Sequence, residues 1–196
     1  MKEKARRKVL QTKLPVRVVS THSAIETSAL GYRIGQQLSA NSILSLFGEL
    51  GAGKTTFVKG LARAVAGVTE SEVVSPTFVY LHIYDGPRRL YHFDLYRLAC
   101  GEEFLSMGFD EMLTAGGVCC IEWAERIEGL LPENQIRITL EHAGEDKRRI
   151  ILEGCDEPCP KGRGVYLGEV STPPKFGSEL PVSEGPGFGS LDEIRL

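Results

Sequence analysis

The stretch Gly48-Glu49-Leu50-Gly51-Ala52-Gly53-Lys54-Thr55 carries the chemistry most readily named in this sequence. Glycines at 48, 51 and 53 open backbone angles closed to residues with a Cβ, so successive N–H groups can point into one concavity, which binds anions. The apolar run Ser42 to Phe47 feeds the turn. An amphipathic stretch from Thr55 to Ala66 leaves it, with Phe57, Val58, Leu61 and Val65 on its buried face. The concavity therefore sits at a helix N-terminus, where unpaired N–H groups and the helix dipole favour phosphate. In that geometry the Lys54 ammonium reaches the terminal phosphates and the Thr55 hydroxyl binds Mg2+. The plain alternative is a glycine-rich strand-to-helix turn with no ligand.

Acids stand where such a loop needs them. Val118 to Ile121 is a continuous apolar run suited to a buried parallel strand, and it ends in Glu122. A carboxylate at that end of a strand can hold Mg2+ or its water. Trp123, the only tryptophan, follows and reads equally as core or as a wall of the site. Upstream, two β-rich runs flank Asp85-Gly86-Pro87 and predict a hairpin from about Thr77 to Leu95. In its second arm His92, Asp94 and Tyr96 alternate with Phe93 and Leu95, so the polar three share one face. That face is either the edge of the site or a solvated strand face.

The elements that must position these groups follow from periodicity. Val16 to Ser20 reads as a strand, Ser23 with Glu26 as a capping box, and Ala24 to Leu38 as an amphipathic helix. Glu102 to Leu113 reads as helical, and "QIRITL" and "RRIILEG" as paired strands. The alternation predicts an α/β fold: a P-loop NTPase-like, mostly parallel sheet flanked by helices, with a β-hairpin insertion after the P-loop helix. Ligands of such sheets bind beyond the carboxyl ends of the strands.

With 196 residues, 42% of them hydrophobic, the chain can bury one good core. The expected organisation is a basic arm (1–14), one ATPase domain (15–154) and a Pro/Gly-rich tail (155–196). The arm sets Lys2, Lys4, Arg6, Arg7, Lys8 and Lys13 against Glu3 alone, and is expected to be a frayed, solvated terminus, with an RNA-contacting arm as the alternative. The tail holds six of the 10 prolines and no periodic apolar pattern, which predicts mobility. A net charge of -3 gives no global attraction to nucleic acid. No signal peptide or membrane span is recognised, so a cytoplasmic location is expected. Of five cysteines, Cys119 and Cys120 lie in an apolar run, Cys100 has no spaced partner, and Cys155 with Cys159 lacks a second ligand pair. Free thiols are expected rather than disulfides or zinc.

Four segments, "GELGAGKTT", "SPTF" (Ser75 to Phe78), "HFDLYRL" (His92 to Leu98) and "IEWAER" (Ile121 to Arg126), resemble in order and spacing those of the TsaE family, bacterial ATPases of tRNA threonylcarbamoyladenosine biosynthesis. The resemblance runs from about Val16 to Gly154. It implies that Lys54 binds the β- and γ-phosphates of ATP, and that the backbone of Glu49, Leu50, Gly51, Ala52 and Gly53 cradles them. It places Thr56 and Trp123 at the nucleotide, and makes Thr55, Asp94 and Glu122 the groups at Mg2+ and the attacking water. Ser75, Pro76, Thr77 and Phe78 would form a switch loop facing a partner. The implied partners are the TsaD and TsaB proteins, with tRNA met only through their complex and no DNA. ATP hydrolysis would support formation of the modification at adenosine 37 of tRNAs reading ANN codons. Glu49 stands where the family often has Asp, and neither the arm nor the tail receives a role.

Two other readings compete. A phosphate-loop small-molecule kinase needs a lid bearing several arginines, and the chain offers mainly Arg88, Arg89 and Arg97 there. A nucleotide-gated scaffold without useful hydrolysis is disfavoured by the presence of Asp94 and Glu122. No obvious arginine finger stands in the chain, which predicts slow hydrolysis by the protein alone.

Overall fold

A computed structural model describes residues 16–154. The expectations for the arm, the tail, Cys155 and Cys159 lie outside the described residues. Seven strands run as β1 (Val16–Thr21), β2 (Ile43–Phe47), β3 (Leu81–Tyr84), β4 (Leu90–Asp94), β5 (Val118–Glu122), β6 (Ile136–His142) and β7 (Arg148–Glu153). The helices are α1 (Ala24–Gln37), α2 (Lys54–Val65) and α3 (Gly101–Ser106), joined by 3-10 segments at Phe109–Thr114 and Ala124–Leu130.

All seven strands form one sheet in the order β1-β7-β6-β2-β5-β4-β3. β6, β2, β5 and β4 are parallel neighbours, whereas β1 with β7, β7 with β6 and β3 with β4 pair antiparallel. The expected mostly parallel sheet is thus corrected to an evenly mixed one. The physical reason is that β7 folds straight back on β6 across a short turn and then offers its free edge to β1, so no crossover is needed there.

Period-two alternation divides the core. Leu44, Leu46, Leu90, Val118 and Cys120 face one layer with Leu30 of α1 and Phe57 and Leu61 of α2. Ile43, Tyr91, Phe93, Cys119 and Ile121 face the other, with Phe104 of α3 and Ile127. α1 and α2 touch backbone to backbone, since a Cβ on Gly60 would stand 1.8 Å from the Ser28 carbonyl oxygen. Ser23 caps α1 by accepting from the Glu26 N–H at 3.2 Å, while the Glu26 carboxylate accepts from the His22 N–H at 2.7 Å. The helix expected over 102–113 is broken: Gly108 takes a φ of 70°, ending α3 and starting a 3-10 segment. β4 is buried on both faces, so the solvated-face reading of His92 and Asp94 does not hold.

The turn between β3 and β4 is fastened to both long helices. Arg88 donates from Nη1 to the Leu38 carbonyl at 2.6 Å and from Nη2 to those of Gly35 and Ala64 at 2.7 and 3.3 Å. Among the described residues no helix is long and apolar enough to cross a membrane.

Candidate phosphate-binding site

The glycine loop between β2 and α2 has the backbone its composition predicts. Gly48, Gly51 and Gly53 take φ values of 136°, 78° and 101°. Gly48 also packs so closely that a Cβ there would stand 2.3 Å from the Leu140 carbonyl oxygen. Lys54, only 4% exposed, donates from Nζ to the carbonyls of Gly48 at 2.7 Å and Glu49 at 3.0 Å. Its ammonium lies 3.7 Å from the centroid of the Trp123 ring. Burial lowers the Lys54 pKa below its usual 10.5, against the opposing pull of Glu122, Glu125 and Asp94. From the start of β7, Arg148 donates to the Ala52 carbonyl at 3.0 Å and to that of Gly51 at 3.3 Å, holding the far side of the loop.

The acids reach the loop because parallel neighbours end together. Asp94 of β4 and Glu122 of β5 are register partners, and both are almost fully buried. The Thr55 hydroxyl lies 2.9 and 3.0 Å from the two Glu122 oxygens, so its one hydrogen is shared between them. His92 Nε2 lies 2.9 Å from Glu122 Oε1. Asp94 Oδ2 accepts from the Ser75 hydroxyl and, at 2.9 Å, from that of Thr77, while Oδ1 accepts from the Tyr96 N–H at 3.0 Å. Trp123 follows Glu122 with a left-handed φ of 61°, a conformation uncommon for a bulky residue, and its ring meets that of Tyr96 at 4.9 Å.

These groups surround one cleft of about 390 Å3. Of the site residues singled out from the sequence, Leu50, Gly51, Gly53, Lys54, Thr55, Thr56, Ser75, Thr77, Asp94, Tyr96, Glu122 and Trp123 line it, whereas Gly48, Glu49, Ala52, Pro76, Phe78 and His92 do not. Glu49 supplies only its carbonyl to Lys54, and Ala52 is buried. The Pro76 carbonyl closes the turn by accepting from Val79 and Tyr80. Phe78 is 80% exposed beneath the Arg97 guanidinium. Sequence reasoning placed His92 and Tyr96 at an edge without finding the His92–Glu122 bond. It missed Arg148 entirely, for which only the residue type was a signal.

The donor set is one of hard oxygens, a hydroxyl and two carboxylates, which suits Mg2+ rather than a soft metal. Among the described residues no group of three or more His, Cys, Asp and Glu could hold a metal by itself.

A sequence model of the family described as threonylcarbamoyl adenosine biosynthesis protein TsaE matches residues 21–150. The chain belongs to the TsaE family. A TsaE of Treponema pallidum is 44% identical over 132 residues, covering 67% of this chain and 96% of the relative. A TsaE of Bacillus subtilis is 42% identical over 128 residues, covering 65% and 78% respectively. A crystal structure of Bacillus subtilis YdiB superposes with a TM-score of 0.60 at 35% identity, covering 71% of this chain and 85% of that one. Every residue of the cleft falls within the TsaE match.

Proposed function

We propose that this TsaE protein is a Mg2+-dependent ATPase, yielding ADP and phosphate, that serves formation of threonylcarbamoyladenosine at position 37 of tRNAs reading ANN codons. It acts with the TsaD–TsaB complex and meets tRNA through that complex. The observation that carries this reading is the convergence of Lys54, Thr55, Asp94 and Glu122 on one cleft at the N-terminus of α2.

In this reading the phosphates lie against the N–H groups of the Gly48–Gly53 loop, and the Lys54 ammonium exchanges carbonyl oxygens for phosphate oxygens. The nucleoside extends toward a recess beyond Gly51 and Gly53, lined by Ala24, Thr27, Thr56, Asp146 and Arg148. Thr55 and Glu122 would hold Mg2+, which would neutralise phosphate charge when bound. Asp94, already oriented by Ser75 and Thr77, accepts a hydrogen bond from the attacking water. Among the described residues no arginine lines the cleft, which supports slow hydrolysis until a partner aligns the water or supplies charge. Exposed Leu50, Phe78 and Val79 around the cleft mouth support a docking face there.

The kinase alternative is weakened by where its arginines are spent. Arg88 is committed to helix carbonyls and Arg89 to Asp85 at 2.6 Å. The test is phosphate release by wild type, Asp94→Ala and Glu122→Ala, each alone and with the TsaD–TsaB pair. Stimulation by the pair, and loss of most activity in both variants with nucleotide binding largely kept, is expected. Variants that hydrolyse ATP like the wild type would overturn the catalytic assignment.

A further inference from the structure

We infer that His92 is the positioning residue for Glu122: its Nε2–H fixes the plane of the carboxylate that faces Thr55, and Tyr84 fixes the plane of the His92 ring. This rests on the reading of the cleft as a Mg2+–nucleotide site.

His92 is 0% exposed and sits on β4 two residues before Asp94, on the layer shared with Leu44, Leu46 and Cys120. A polar ring in an apolar layer costs stability unless its nitrogens are paired. Only one is. Nε2 meets Glu122 Oε1 at 2.9 Å, and Nδ1 is buried with no hydrogen-bond partner. A carboxylate oxygen only accepts, so Nε2 carries the hydrogen, while Nδ1 stands without a partner. Core packing alone is better served by Leu or Phe at such a position. The half-satisfied histidine is explained by the one bond it makes.

That bond has a geometric consequence. Glu122 would otherwise be held by a single shared hydrogen from Thr55, which leaves the carboxylate free to rotate. A second donor on Oε1 removes the rotation and presents Oε2 to the cleft. The ring is itself held: Tyr84 of β3 lies nearly parallel to it, 24° between planes and 6.4 Å between centroids. A contiguous path of contacts thus joins Tyr84 of β3, through His92, to the metal-side acid.

The test uses the full chain with His92→Phe, His92→Asn and His92→Gln. Phe keeps the ring without a donor. The Gln amide nitrogen reaches the place of Nε2, whereas that of Asn stops near Nδ1. Binding of β,γ-imido-ATP is followed through the fluorescence of Trp123, with Mg2+ and with chelator, beside melting temperature and steady-state phosphate release. The Phe and Asn variants are expected to lose about tenfold of the Mg2+-dependent gain in affinity and a similar factor in kcat. Affinity in chelator stays within about twofold, and Gln recovers most of the loss. Should Phe fail to fold, the Asn and Gln pair decides by itself, since both are polar and differ in reach. A full Mg2+-dependent gain in the Phe or Asn variant overturns the inference. So does a Gln variant as defective as Asn, with metal-free affinity lowered equally. A wild-type protein whose affinity is indifferent to Mg2+ overturns the underlying reading as well, which separates the two failures.

Discussion

The two loops that wall the cleft are held in different ways. The loop from Gly48 to Gly53 owes its shape to its own backbone: three glycines at positive φ, one of them against the Leu140 carbonyl, with Lys54 and Arg148 donating to loop carbonyls. The loop from Ser75 to Phe78 owes its position to one carboxylate oxygen, Asp94 Oδ2, on which two hydroxyls converge. Its far end carries exposed Phe78 and Val79, and Tyr80 takes a left-handed φ of 63° without being glycine. The first loop is preorganised. The second depends on one acceptor, because both hydroxyls share Asp94 Oδ2.

If the first loop is set by backbone geometry, Gly48→Ala is the most damaging single change in it. Forced positive φ and a carbonyl contact together should cost on the order of 3 kcal/mol in denaturant unfolding. Gly51→Ala meets nothing nearer than the His142 ring at 3.9 Å and should cost only about 1 kcal/mol, for strain alone. Equal losses at the two positions would break the distinction. Lys54→Ala should weaken ATP binding by on the order of 1.5–3 kcal/mol, read by titration calorimetry, while the melting temperature stays close to wild type. A collapse of the fold instead would make Lys54 a structural strut of the loop. The smallest effect belongs to the second loop. Thr77→Ala leaves Ser75 on Asp94 and should cost about 1 kcal/mol or less in stability. Its signature should be weaker stimulation of phosphate release by the TsaD–TsaB pair at nearly unchanged basal turnover. Basal turnover falling as far as the stimulated rate would mean that both loops are parts of one rigid wall.

The first loop was legible in the sequence because its chemistry is local: glycine spacing sets the backbone, and the backbone aims Lys54 and Thr55. Glu122 was legible as an acid ending a strand, and Asp94 as one of three polar residues on one face of a hairpin arm. Their being register partners was not, because alternation fixes which face a residue occupies and says nothing about which strand lies beside it. The same ignorance of partners hid the pairing of β1 with β7, whose residues meet across the whole length of the domain. The break at Gly108 was missed because apolar residues continue at near-helical spacing on both sides of it. Arg148 was invisible for another reason. Its partners are backbone carbonyls of the loop, and any residue type presents those.

Arg88 gives the hairpin a mechanical asymmetry. At the turn, its guanidinium is bolted to carbonyls at the C-terminal ends of α1 and α2, and the backbone N–H of the same residue donates to the Val65 carbonyl at 3.1 Å. At the opposite end, next to the cleft, β3 leads back into the segment tethered by Asp94. The hairpin is a cantilever, clamped at its base by Arg88, with its other end at the segment whose hydroxyls converge on Asp94.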